Sequence, residues 1–108
     1  MAQIKVVGID PGLAGTGVGV ITGDNTQING YSFGSIDTKT TDPIHLRLHT
    51  IHSKISSFLK HENPDYVVIE DIYSLEKYPG SGIMLGKVSG VLLLAAYQSD
   101  LDVEEIAV

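Results

Sequence analysis

The sequence of 108 residues contains no cysteine, which excludes disulfide bonds, thiolate metal sites and cysteine nucleophiles and suits a reducing cytoplasm. Residues 1–8 also lack the basic region and apolar core of a signal peptide. The longest helix-like apolar stretch, residues 88–97, is too short to cross a membrane. We therefore expect a cytoplasmic protein with no membrane among its partners.

Basic residues are also few, because seven lysines and arginines stand against thirteen acidic residues, for a net charge of −6. Proteins that grip nucleic acid usually present a basic surface, so this composition argues against a large phosphate-binding footprint. A carboxylate-rich metal site would account for part of the negative charge, which bound cations partly cancel. The length suits one core, and we expect residues 1–108 to form a single domain.

The most informative stretch is residues 5–21, KVVGIDPGLAGTGVGVI. It is typical of a buried strand that ends in Asp10, a Pro-Gly turn whose glycine supplies backbone freedom, and a returning strand. Gly15, Gly17 and Gly19 alternate along that second strand and leave one of its faces nearly bare. A carboxylate held at the end of a strand is a candidate metal ligand. Twist and close packing explain the glycines equally well.

A second stretch, YVVIE at Tyr66–Glu70, repeats the pattern of a β-branched strand that ends in an acid. If the two strands are neighbours in one sheet, Asp10 and Glu70 converge. Paired carboxylates bind hard divalent cations, and Mg²⁺ keeps coordination positions for water and substrate phosphate. The plainer interpretation of Glu70 is a strand-end charge that faces water. Asp71 ranks lower, because on a strand it would point to the opposite face.

The remaining pattern predicts a mixed α/β domain. One helix begins with Asp42 as its N-cap and Pro43 as its first residue, and ends by Asn63. A second helix covers residues 82–98 and is apolar on more than one side, which favours a central position or a subunit interface. Strands are expected at residues 3–9, 15–22, 28–37, 66–70 and 101–107.

Histidines at helical spacing in the first helix are a weak candidate for a metal site. His45, His49 and His52 lie beside its apolar stripe, and this spacing could hold a metal ion. No carboxylate completes the set at helical spacing, so a solvated flank that carries polar rings is the better interpretation.

Two further positions are weak candidates for contacts with nucleic acid. Tyr73 and Lys77, in a loop expected at residues 72–81, suit base stacking and a phosphate contact, and they suit an ordinary half-buried loop equally well. Lys87, in the first turns of the second helix, is another candidate for a phosphate contact, although a solvated lysine explains it more simply.

Three motifs resemble those of the RuvC-type Holliday-junction resolvases of the ribonuclease-H-like superfamily. They are GIDPG with GTGVGVI within residues 8–21, PDYVVIEDIY at 64–73 and LGKVSGV at 85–91, and they cover nearly the whole chain in the family's order. The resemblance implies a ribonuclease-H-like five-stranded mixed sheet with flanking helices. It also implies a homodimeric endonuclease that nicks four-way junction DNA in recombination and repair, with Mg²⁺ or Mn²⁺ as cofactor and a branch-migration motor complex as a further partner.

The resemblance carries functions over to particular residues. Asp10 and Glu70 match the family's first two metal-binding acids, which serve attack of metal-activated water on a phosphodiester. Tyr73 stands where the family has an aromatic residue associated with stacking on junction bases, with Phe more familiar there. The helix at residues 82–98 is the candidate for part of the dimer interface, and a two-fold dimer would explain symmetric nicking.

The chain departs from the family pattern at its end. Such resolvases continue through a helical segment with two more aspartates of the metal site, and DVEE at residues 102–105 is wrongly placed to replace them. We therefore expect the C-terminal helices to be missing and one face of the sheet to be uncovered. Weak metal binding, little or no cleavage and increased self-association should follow for this chain.

Two other functional classes stay open. A non-catalytic junction-binding or assembly module could keep the fold, and junction binding without nicking would identify it. A phosphate-binding domain of the actin-like and sugar-kinase superfamily also begins with an Asp-x-Gly hairpin. Those proteins need a duplicated domain, which argues against them here, and thermal stabilisation by ATP would revive the hypothesis.

Overall fold

The computed structural model describes residues 2–71 and 79–107, which form a mixed sheet and two helices. The mixed α/β class and the predicted order of three strands, helix, strand, helix and strand are confirmed. No helix in these two ranges is long and apolar enough to cross a membrane. In chain order the elements are β1 (Ile4–Asp10), β2 (Gly15–Gly23), β3 (Ile28–Asp37), α1 (Ile44–Glu62), β4 (Tyr66–Glu70), α2 (Pro79–Gln98) and β5 (Val103–Ile106).

The five strands are arranged in the order β3-β2-β1-β4-β5. β1, β2 and β3 form an antiparallel meander, in which Asp10 pairs with Gly17 and Gly15 pairs with Asp37. β4 is parallel to β1, and β5 is parallel to β4. Parallel neighbours need a crossover connection, which α2 provides between β4 and β5. The carboxyl ends of β1 and β4 therefore lie side by side.

The hydrophobic core lies between the two helices and one face of the sheet, which we call the covered face. Its strand residues alternate along β1, β2 and β4, as expected when a single face of a sheet is packed. These residues are Val7, Ile9, Val18, Val20, Val67 and Ile69, and Ile36 of β3 joins them. The helices contribute Ile51, Ile55, Leu59, Val88, Leu92, Ala95 and Ala96 to the same cluster.

The opposite side of the sheet, which we call the open face, carries the residues between those of the core. It includes Gly8, Asp10, Val68 and Glu70, together with the outward residues of β2 and β3. Large apolar side chains are exposed there: the rings of Tyr31 and Phe33 are stacked with centroids 6.4 Å apart. Within the described ranges no helix lies over this face, because both helices pack on the other one.

The start of α1 differs from the sequence-based prediction. Asp42 as N-cap is wrong, because Pro43 occupies the cap position with extended backbone and no side chain caps the helix. The N–H of Asp42 instead donates to the carbonyl oxygen of Lys39, so this aspartate belongs to the preceding turn. The end of α1 is as predicted: Asn63 adopts a left-handed conformation and donates its N–H to the carbonyl oxygen of Leu59.

The boundaries of two other elements differ from the predicted ones by a few residues. α2 begins at Pro79, three residues before the predicted start, since proline suits the first turn of a helix, where its missing N–H costs nothing. The predicted loop at 72–81 therefore ends before residue 79. β5 is shorter than residues 101–107 and spans only Val103–Ile106.

Candidate active site

Asp10 and Glu70 are the last residues of β1 and β4 and lie at neighbouring positions of the open face. Ile9 pairs with Ile69 in the parallel register, so the residues that follow them occupy matching places. Both isoleucines are buried against the helices, and alternation directs the two acids to the opposite side of the sheet. The convergence expected from the sequence is therefore what the register produces.

The two carboxyl groups interact with each other. The pKa of Glu70 is raised, first by a side-chain hydrogen bond with Asp10, then by partial burial and by the negative charge of Asp10. Such a hydrogen bond needs a proton on one carboxyl group, so the pair repels when both are ionised. Asp10 is exposed and Glu70 is half-buried, so water screens part of this repulsion.

This donor set fits a hard divalent cation. A cation between Asp10 and Glu70 would favour the ionised form of both groups, and two carboxylates are what Mg²⁺ commonly takes from a protein. In residues 2–71 and 79–107, no three acidic or histidine side chains come together in a metal-binding group. The described part of the chain thus supplies two oxygen ligands, and the other coordination positions stay open to water, substrate or further ligands.

Two threonines hold the turn that follows Asp10. Thr16 is completely buried, and its Oγ1 donates to the carbonyl oxygen of Gly12 at 2.7 Å and accepts the N–H of Gly12 at 3.4 Å. Thr38 donates its N–H to the carbonyl oxygen of Ala14 at 3.0 Å. Its Oγ1 donates to the carbonyl oxygen of Leu13 at 2.5 Å. These bonds keep the end of β1, and so the carboxylate, in one place.

Gly12 is required in this turn for a different reason from the one predicted. None of the described glycines has a positive φ angle, so backbone freedom is not what the turn uses. A Cβ atom on Gly12 would lie 2.2 Å from the carbonyl oxygen of Gly15, which is a severe clash with backbone. The turn is therefore too tight for any side chain at this position.

The alternating glycines form the floor of a depression beside the carboxylates. Gly8 pairs with Gly19 and Asp10 pairs with Gly17, so β1 and β2 present almost no side chains here. The depression has a volume of about 370 Å³ and is bounded by Asp10, Glu70 and Phe33. The glycine-lined surface expected from the sequence therefore lies next to the two acids, which are accessible from the open face.

The other candidates from the sequence do not join this site. Tyr73 and Lys77 lie outside the described residues. Lys87 is exposed on α2, a helix that packs against the covered face, so the structure does not bring it together with the carboxylates. Asp71 follows β4, and its N–H donates to the carbonyl oxygen of Ile106.

The histidines of α1 have separate neighbours. Nε2 of His52 lies 2.7 Å from Oε1 of Gln98, and Nε2 of His49 lies 3.4 Å from Oγ of Ser53. His45 is exposed. In the described ranges none of them is part of a metal-binding group, in agreement with a solvated flank.

Sequence reasoning missed the residues that position Asp10. Thr16 could have been noticed, because it is a polar residue at the inward position of β2 nearest the turn. No local signal identifies Thr38 or Arg47, whose Nε donates to Oγ1 of Thr38 at 2.9 Å. Their contact with the turn depends on how β3 and α1 pack against it.

Sequence comparison identifies close relatives. Residues 6–108 match the family described as Crossover junction endodeoxyribonuclease RuvC. The protein of that name from Azorhizobium caulinodans is 34% identical over 105 residues, which are 97% of this chain and 62% of that protein. The one from Chlamydia muridarum is 40% identical over 103 residues, 94% of this chain and 60% of that protein. The chain thus spans about three fifths of the length of these relatives.

Comparison with solved structures identifies the same fold. A structure of Thermus thermophilus RuvC in complex with Holliday junction substrate superposes with a TM-score of 0.82 at 24% sequence identity, over 96% of this chain and 65% of that chain. The yeast mitochondrial Holliday junction resolvase Ydc2 gives a TM-score of 0.66 at 12% identity, over 95% of this chain and 52% of that chain. At these identities the likeness establishes the fold alone, and the ribonuclease-H-like mixed sheet is confirmed.

Proposed function

Because this chain belongs to the RuvC family of crossover junction endodeoxyribonucleases, we propose that it acts in DNA recombination and repair as a nuclease for four-way junctions. Asp10 and Glu70 are its catalytic acids and hold Mg²⁺, with Mn²⁺ as a substitute. The observation that carries this proposal is the adjacency of the two carboxyl groups at parallel strand ends, which is expressed in the raised pKa of Glu70.

The residues of this chain provide a metal-binding pair and space for a phosphodiester. A bound divalent ion supplies Lewis acidity and an activated water molecule for hydrolysis. Asp10 and Glu70 would hold this ion through their oxygens, which would offset the mutual repulsion of the two carboxylates. Ile9 and Ile69, packed in the core, keep the two acids from moving as the charge on the substrate changes. The glycine floor lets a DNA strand approach without meeting side chains.

A second copy of this chain is the proposed protein partner. On α2, Ile83, Leu94 and Tyr97 are large apolar residues with at least half of their surface exposed, as expected for part of an interface. A two-fold dimer would present two identical sites to a junction of similar symmetry. The family resemblance adds a branch-migration motor complex as a further partner and the cytoplasm as the location.

The nuclease proposal is tested with a labelled four-way junction and Mg²⁺. The wild-type chain, Asp10→Asn and Glu70→Gln are compared, and Asp71→Asn serves as the matched control, because it removes an adjacent acid that lies outside the pair. Because the sequence predicts little or no cleavage by residues 1–108, we expect at most slow metal-dependent nicking, which both site variants abolish and the control retains. Nicking by Asp10→Asn at the wild-type rate would contradict the assigned site.

A junction-binding module without nuclease activity is the second candidate. The observation that favours it is that, within the described ranges, no third acid joins Asp10 and Glu70. Mobility-shift measurements on the same junction separate the two candidates. Binding that does not depend on Mg²⁺ and survives Asp10→Asn, without nicking by any variant, would support the module.

A further inference from the structure

Arg47 is the single arginine of the sequence and lies in the first turn of α1. β3 ends at Asp37 opposite Gly15, and a short connection leads from there into the helix. Gly15 follows the turn after Asp10, so the first turn of α1 is at the same end of the sheet as the carboxylate pair. The one guanidinium group of the chain therefore lies at the end of the sheet that carries the candidate active site.

One nitrogen of this guanidinium group is held in position. Nε of Arg47 donates to Oγ1 of Thr38 at 2.9 Å, and Oγ1 of Thr38 donates to the carbonyl oxygen of Leu13 at 2.5 Å. Leu13 belongs to the turn that follows Asp10. Two hydrogen bonds thus connect Arg47 to the backbone that positions the catalytic acid.

The rest of the guanidinium group is available to a ligand. Its two Nη nitrogens carry four N–H donors, and none of them donates to an acceptor in residues 2–71 or 79–107. Arg47 also forms no salt bridge within these ranges. The two ion pairs found there join Glu62 to Lys5 and to His61. Because the side chain is half-buried and held at Nε, it has lost part of its freedom before a ligand arrives.

Support of the turn does not explain the positive charge. Thr38 already bonds to Leu13 and Ala14 without help from Arg47, and a neutral donor would hold the threonine hydroxyl equally well. The two Nη nitrogens of an arginine present parallel N–H groups, which can bond to two oxygens of one phosphate. In a chain with a net charge of −6, long-range attraction of DNA is weak, so a fixed local cation matters more.

We infer that Arg47 binds a backbone phosphate of the DNA strand that enters the site. This inference rests on the proposed function, because the ligand is the strand cleaved beside Asp10 and Glu70. α1 packs on the covered face whereas the carboxylates lie on the open face, so the bound phosphate is one that flanks the cleaved phosphodiester. Arg47 is therefore a binding residue that sets how the strand crosses the end of the sheet.

The test measures binding of four-way junction DNA without Mg²⁺ at a series of salt concentrations, by fluorescence anisotropy. Arg47→Gln should weaken binding about tenfold and lower the slope of log affinity against log salt by about 0.9, the value for one lost phosphate contact. Lys60→Gln is the matched control, because it removes the same charge from the last turn of the same helix. It should leave affinity and slope nearly unchanged.

Arg47→Lys distinguishes phosphate binding from support of the turn. This variant keeps the positive charge and loses the planar guanidinium group. The inference therefore requires lower affinity for the junction with an unchanged dependence of affinity on salt. This result can be read even if Arg47→Gln does not fold. Two results would overturn the inference and leave the proposed function standing. One is the same salt dependence of affinity for Arg47→Gln and Lys60→Gln, and the other is a salt dependence that falls in Arg47→Lys as much as in Arg47→Gln. If the wild-type chain binds no junction at all, the proposed function fails, and this inference fails with it.

Discussion

The covered and open faces of the sheet are made from alternate residues of the same strands, yet they carry different properties. On the covered face, Ile9 and Ile69 are at most 3% exposed and belong to the core cluster that includes residues of both helices. On the open face, the next residue of each strand is a carboxylate beside a floor of glycines. The two-residue period of a strand thus separates the groups that stabilise the protein from those of the candidate active site.

This comparison also shows how a small domain can hold two like charges together. Each acid directly follows a core residue, so burial of the isoleucine side chain also places the carboxyl group. Repulsion between Asp10 and Glu70 costs stability, and hydrophobic burial on the other face offsets it. Substitutions on the two faces test this difference.

The largest difference is expected between Ile69→Ala on the covered face and Phe33→Ala on the open face. Ile69 is fully buried, whereas Phe33 is 83% exposed. The first variant should lose about 2–5 kcal/mol of unfolding free energy, because it leaves a cavity in the core. The second should lose no more than about 1 kcal/mol. Urea unfolding followed by circular dichroism measures both, and equal losses would mean that the open face is buried in solution.

Thr16→Val should give the next largest effect, because it removes a buried hydroxyl group that bonds to the turn after Asp10. The carbonyl oxygen of Gly12 would lose its 2.7 Å hydrogen bond, at a cost of about 1–3 kcal/mol. Thr22→Val is the control, because its bond to the carbonyl oxygen of Gly30 is longer, at 3.4 Å. Urea midpoints of the two variants are compared, and an equal loss would show that the turn does not depend on Thr16.

Glu70→Gln should slightly stabilise the metal-free protein at neutral pH. The pKa of Glu70 is raised above its ordinary value of 4.5, so the folded state holds its proton more tightly than the unfolded state. The contribution of Glu70 to stability is therefore greatest below pH 4.5 and is lost as the pH rises through the raised pKa. Because solvent screens the pair, the gain from the substitution is about 0.5 kcal/mol at most.

Thermal unfolding between about pH 4 and pH 8, with and without Mg²⁺, measures this prediction. Added Mg²⁺ should stabilise the wild type more than Glu70→Gln, because binding to the folded state alone raises its stability. Glu104→Gln, on β5, is the control. If the stability of Glu70→Gln depends on pH in the same way as that of the wild type, the two carboxyl groups do not interact in solution.

The smallest effect is expected away from both faces, at Asp24 in the β2–β3 hairpin. Its pKa is lowered by hydrogen bonds from the Thr26 side chain and from the backbone of Thr26 and Gln27. The ionised carboxylate therefore contributes stability above the ordinary pKa of 3.8, which is lost as the pH falls through the lowered pKa. Asp24→Ala should unfold at lower urea than the wild type at neutral pH, and the difference should vanish in acid. With Asn25→Ala as control, a difference that persists in acid would contradict the prediction.

Several features were predictable because they depend on neighbours in sequence. The alternation in Lys5–Ile21 and Tyr66–Glu70 indicated two strands that end in acids, and the Asn63-Pro64 sequence indicated the end of α1. The N-cap at Asp42 was wrong, because an aspartate before proline can equally close the preceding turn, as its bond to Lys39 does here. Local preference alone does not choose between those two hydrogen bonds.

Local sequence patterns are sufficient to predict the strands, the helices and the two acids, since hydrophobic periodicity and turn residues act over a few positions. Tertiary packing is needed to place β4 beside β1 in a register that brings Asp10 to Glu70, to leave no room for a side chain at Gly12, and to connect Arg47 through Thr38 to the turn after Asp10. These contacts join residues that are far apart in the chain. Their geometry follows from how helices and strands pack together, which no local pattern specifies.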